Sequence, residues 1–92
     1  MIDETVLKSF KGRMHIFHDS EDGNLKEILE ASLSAIKSMT GSGDVTRPDI
    51  KELVMERSRY VYTDSVEFFE DNFQSRILSV GFDVMSEGDN VE

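Results

Sequence analysis

The residues of this chain best suited to chemistry are two histidines and a set of scattered carboxylates. His15 and His18 stand three apart, beside Asp19, Glu21 and Asp22. Imidazole and carboxylate groups bind metals readily, and on a helix two positions three apart share a face. The stretch RMHIFH, however, alternates loosely and predicts extended backbone. There, positions three apart point to opposite faces, so the expectation is two packing or surface histidines and no metal site. Residues 19–30 begin with Asp and end with Glu at the length of a calcium-binding loop. Such a loop needs an oxygen ligand at its fifth position and Gly at its sixth. Here Gly23 is fifth and Asn24 sixth, and Leu25 already opens an apolar stripe. An acidic helix start is expected instead.

Gly41-Ser42-Gly43-Asp44 lacks the Gly-Lys-Ser/Thr ending of a phosphate loop and follows no predicted strand, so it is expected to link two helices. Glu56, Arg57, Arg59 and Asp64 form a charge cluster. An arginine on an apolar helix face needs a partner to offset its desolvation. Arg57 and Asp64, seven apart, are therefore the candidate structural ion pair. Glu67, Glu70 and Asp71 could serve acid–base chemistry only beside a nucleophile or a pocket residue, and none accompanies them. No catalytic, cofactor-binding or metal-ligating residue emerges, and the expectation is a protein that is not an enzyme.

Positioning falls to a small scaffold. The 92 residues allow one domain, with 38% apolar and 32% charged side chains. The apolar share is under the usual ~45–50%, which predicts a thin core helped by oligomerisation. Nineteen acidic residues against ten basic leave a net charge of −9. That balance opposes tight nucleic-acid wrapping and anionic membranes, although an acidic wall would let a duplex pass without sticking. There is no cysteine, hence no disulfide framework or thiolate ligand. Neither a membrane-spanning apolar run nor a signal-peptide pattern is visible, so synthesis inside the cell is expected.

The periodicities predict an all-α bundle of about four helices, over 2–11, 21–39, 47–69 and 72–80, in a single domain 1–84. Ile2, Val6, Leu7 and Phe10 recur at helical spacing until Gly12, the expected stop. Ser20 or Asp19 is the expected cap of the second helix. Its stripe is Leu25, Ile28, Leu29, Leu33, Ile36 and Met39. T-R-P-D suggests Thr46 as cap of the third helix, with Pro48 in its first turn and Asp49 in the place of a capping-box acid. That helix carries two apolar faces. Ile50, Leu53, Val54, Tyr60, Val61 and Phe68 form one, and Met55, Tyr62, Val66 and Phe69 the other. The second is the candidate subunit interface. Asp71-Asn72 is the expected break, Gly81 the expected end of the last helix, 82–84 a short strand or docking segment, and 85–92 a disordered acidic tail.

Two segments carry a resemblance. FKGRMHIFHDSEDGNLKEILEASLSAIKSMTG (10–41) and ELVMERSRYVYTDSVEFFEDNFQSRILSVGFD (52–83) resemble the head–tail connector, or head-completion, proteins of siphovirus-type phages and prophages of Gram-positive bacteria. The opening F-K-G-R-M-H-I, the H-D-S-E-D before a long helix, and E-R-S-R-Y-V-Y followed by an acidic residue carry it. Specificity lies in order and spacing. The resemblance implies a four-helix fold and a homo-oligomeric ring, commonly a dodecamer, in the virion at the head–tail junction. It also implies a portal protein on one side, a tail-side connector on the other, and DNA passing through without sequence-specific binding. No cofactor is implied.

A competing reading is an acidic helical binding protein, a DNA mimic or inhibitor acting on a protein partner. It needs a continuous acidic stripe, and here Lys8, Lys11, Lys26, Lys37 and Lys51 interrupt the acids. A helical transcription regulator needs a basic recognition helix, which the acid-rich third helix is not.

Overall fold

The computed structural model describes residues 2–89, and it is all-α. Four α-helices follow in order: α1 (Glu4–Met14), α2 (Asp22–Thr40), α3 (Pro48–Tyr62) and α4 (Phe69–Asp89), with a single 3-10 turn (Val66–Phe68) leading into α4. No strand occurs among the described residues. α2 is the spine and packs against each of the other three helices. Most of its predicted stripe faces inward: Leu25, Leu29, Leu33 and Ile36 are buried and Met39 packs at the edge of the core, while Ile28 is only partly buried.

Helix ends differ from expectation wherever a side chain found a better partner. α1 is capped by Asp3, whose Oδ1 accepts the Val6 N–H at 3.0 Å. It runs through Gly12 to Met14 and stops at His15, which takes left-handed geometry at φ 59°. At the start of α2 neither Ser20 nor Asp19 caps. Asp19 accepts the Lys11 ammonium at 2.8 Å, and Ser20 Oγ lies 2.8 Å from His18 Nδ1. Glu21 holds the cap position without a side-chain bond. α2 ends at Gly41 with φ 88°, a backbone state that favours glycine.

Arg47, not Thr46, is the α3 cap residue. Asp44 captures Thr46 first, accepting from its N–H at 3.0 Å and its hydroxyl at 2.6 Å. Asp49 accepts the Ile50 N–H at 2.7 Å and the Arg47 guanidinium at 2.9 and 3.0 Å. It therefore does not reach back as a capping-box acid would.

The largest departure is the end of α3. It stops at Tyr62 rather than Phe69. Asp64 adopts φ 61°. Its N–H donates to Val61 O at 3.1 Å, and the Ser65 N–H donates to Tyr60 O at 2.8 Å. This pairing is a Schellman closure with aspartate in the left-handed position. The hydroxyls of Thr63 and Ser65 also donate to carbonyls of the last turn, at 2.9 Å to Arg59 O and 3.3 Å to Tyr60 O. T-D-S is thus a helix stop built from local side-chain bonds. Asp71 and Asn72, the expected break, lie inside α4.

The chain after the turn folds back. Phe69 enters the core at 1% exposure. It meets Tyr60 edge-on at 5.6 Å between ring centroids and stacks on Phe73 at 4.8 Å. α4 then passes Gly81 without stopping. A Cβ there would lie 3.9 Å from the Thr40 backbone, so Gly81 sits where α4 crosses the end of α2. The expected strand 82–84 and the start of the expected tail, 85–89, are helical. The remainder of that tail, 90–92, lies outside the described residues.

Two stability outcomes follow from these positions. Asp64→Gly should raise stability by about 1 kcal/mol, because glycine removes the left-handed penalty. Phe69→Ala should lower it by roughly 3–5 kcal/mol. Urea unfolding followed by circular dichroism checks both; a neutral Phe69→Ala would contradict the core placement.

Candidate assembly surface

The residues with chemical potential are dispersed. His18 pairs with Ser20 and stands 3.9 Å from Glu21, while the exposed His15 ring meets Phe17 edge-on. No group of three or more His, Asp or Glu side chains among the described residues is arranged to hold a metal. Residues 22–30 are helical rather than a calcium loop, and 41–44 is a connector. Glu67, Glu70 and Asp71 are exposed.

The candidate pair Arg57–Asp64 does not form among the described residues. The Arg57 guanidinium donates to Ser32 Oγ at 3.2 Å. Asp64 belongs to the reversal after α3, where it adopts φ 61°. Arg13 forms the long-range pairing that sequence spacing could not reveal. It forks onto both oxygens of Glu52 at 3.0 and 3.1 Å and reaches Glu56 at 3.0 Å. Glu56 also accepts Arg59 at 2.8 Å. Lys11 spans Asp19 and Asp22 at 2.8 and 2.7 Å, tying α1 to the start of α2. Arg47 joins Asp49 at 2.9 Å to Glu87 of α4. Partners 39 and 40 residues away leave no periodic trace.

Paired guanidinium groups favour the charged carboxylate. Arg13 holds Glu52 below its ordinary 4.5, chiefly through their hydrogen bond, and Arg47 likewise depresses Asp49 below 3.8.

The four candidate interface residues do not share a surface. Met55 is 1% exposed and Phe69 1%. Tyr62 is half-buried with its hydroxyl on Glu21 at 2.9 Å. Val66, beyond the turn, lies at the margin of exposure. Two of the four, Met55 and Phe69, are thus core rather than spare surface.

The apolar surface lies instead on α4. Leu78, Phe82 and Met85 are 56%, 66% and 62% exposed. They stand at i, i+4 and i+7, one helix face. Met39, Thr40 and Gly81 complete a groove of about 210 Å³ between α4 and the end of α2. A second hollow, sharing Met39, Ile77 and Leu78, continues the furrow toward Glu70 and Asp71. Contiguous exposed apolar surface of this kind marks contact sites. Sequence reading missed it because it ended the last helix at Gly81 and so broke the i, i+4, i+7 register. Phe17, at 86%, is the most exposed of the large apolar residues among those described.

No helix among the described residues is long and apolar enough to cross a membrane. Comparison with protein-family models, with curated proteins and with solved structures found no match in any of the three.

The ion pairs set an acid response. A carboxylate whose folded pKa is depressed adds stability that is complete above its unfolded value. That stability is lost as pH falls through the folded value. For Glu52 the loss begins near pH 4.5 and continues below it. Glu52→Gln should therefore show a shallower loss of melting temperature than the parent protein as pH drops from 5 toward 3, a window bracketing the ordinary carboxylate range. Parallel slopes would remove Arg13–Glu52 from the account.

Proposed function

We propose that this chain is a structural, non-enzymatic subunit of a ring at the head–tail junction of a long-tailed phage or prophage. In this reading it meets a portal protein on one side and a tail-side connector on the other while DNA passes through. The observation that supports an assembly role most is the exposed Leu78–Phe82–Met85 stripe on α4, a sizeable apolar surface on a small, thin-cored domain. The particular place in a virion rests on the resemblance of 10–41 and 52–83 to connector proteins, and the all-α fold agrees with what that resemblance implies. Net charge of −9 suits a wall past which a phosphate backbone slides.

The phosphate-mimic alternative needs free carboxylates in a continuous row. Asp19, Asp22, Glu52, Glu56 and Asp49 are instead engaged by Lys11, Arg13, Arg59 and Arg47, which favours the assembly reading.

Removing the gene from an inducible prophage or phage genome should leave DNA-filled heads that fail to join tails. Complementation with a tagged copy should place the chain at the neck of restored particles in electron micrographs. Normal tailed particles without the gene, or particles lacking the tagged chain, would overturn this function.

A further inference from the structure

The exposed side of α4 repeats at the spacing of a helix–helix seam. Leu78, Phe82 and Met85 follow one another at intervals of four and three, and the same register carried toward the start of α4 passes Ser75 and Asp71. An apolar repeat of this spacing is how one helix receives another along a shared seam. The flanking positions are small or uncharged, with Asn72, Ser79 and Ser86 on one side and Gln74 and Gly81 on the other, so a second backbone can come close. α2 supplies the opposite wall through Met39 and Thr40. From Asp71 to Met85 the furrow runs about 21 Å at 1.5 Å per residue, the length of a helix of about four turns.

Charge is confined to one end of this furrow. Glu70 and Asp71 line the hollow that continues it there. Both are exposed, and neither meets a basic side chain among the described residues. Arg76 is the one base of α4. It stands about 160° round the helix from Leu78, and its guanidinium lies 5.6 Å from the Phe73 ring centroid, off the furrow.

A second copy does not supply the missing charge through its own α4. Parallel pairing sets Asp71 on Asp71. Antiparallel pairing brings Asp71 toward the 87–92 end, whose sequence holds Glu87, Asp89 and Glu92 and no base. Such a two-fold contact also closes as a dimer and does not extend a ring. The end of the molecule that bears Phe17 mixes acids with bases and has no excess of positive charge to offer.

Resting on the assembly reading above, we infer that the α4 furrow receives one helix of a different protein, apolar along a matching stripe and bearing lysine or arginine at the end that lies over Glu70 and Asp71. Leu78 and Phe82 are the apolar anchors, in the manner of a helix laid into a groove. The two carboxylates fix its direction, since reversing the helix carries its bases to Met85 and leaves both acids unpaired.

The test uses the full-length protein and a fluorescent synthetic helix of about four turns. The helix has leucine at its seam positions and is made in two forms, with lysine or with glutamate in its end turns. The lysine form should bind saturably at one site, about tenfold or more tighter than the glutamate form, with the margin narrowing as salt rises. Phe82→Asp, at an exposed position, should weaken it about tenfold or more, as for a lost aromatic anchor. Glu70→Gln with Asp71→Asn should erase most of the preference for lysine, while Glu27→Gln with Glu30→Gln, an equal loss of charge on α2, should keep it. Circular dichroism should be unchanged in every variant.

No binding, equal binding of the two forms, indifference to Phe82→Asp, or a lysine preference that survives Glu70→Gln with Asp71→Asn would each overturn the contact. So would a parent protein that light scattering shows to be a dimer and Phe82→Asp a monomer, because a second copy would then hold the furrow. The two readings fail separately. A chain present at particle necks whose furrow is indifferent to the lysine helix loses only the contact. Binding as expected with the chain absent from particles loses only the virion role.

Discussion

The reversal at Asp64 decides what the rest of the molecule can be. A helix continued straight from Pro48 to Phe69 would have held Met55 and Phe69 on an outer face. The Schellman closure at 63–65 instead ends α3, satisfies its last carbonyls, and aims the following segment back along the bundle. Phe69 then closes the core against Tyr60 and Phe73, and α4 finds its seat across the end of α2. Apolar area counted as surplus becomes the seal of the fold, and the surplus reappears on the far side of α4.

With the core so small, charged staples hold the periphery. Lys11, Arg13 and Arg47 each bridge two carboxylates, and each links one helix to another or to the loop before it. Exposed pairs of this kind contribute little singly. Their geometry matters more: the Arg13 fork fixes α1 against α3, and Arg47 anchors the late turns of α4 to the start of α3. These contacts keep the α4 stripe in register with the end of α2, so the furrow has a defined shape.

The sequence by itself determined the helical class, most of the α2 stripe and the cap chemistry available at each end. Those properties are local: a period of 3.6, a glycine after a polar turn or an alternating acid and lysine can be read over a few residues. The tertiary structure decided which of several possible caps formed. Asp44 outcompeted the helix for Thr46, and Lys11 drew Asp19 away from α2. It also decided that Gly81 would be a close crossing rather than an end, because the Thr40 backbone lies beside it. T-D-S at 63–65 held the stop signal in plain view, but Asp71-Asn72 offered a similar one. The hydroxyl and backbone bonds formed at 63–65 and the packing of Phe69 and Phe73 against Tyr60 together favour the first. The sites farthest from legibility, Arg13 on Glu52 and the furrow on α4, depend on residues brought together from separate helices, and no local pattern encodes that meeting.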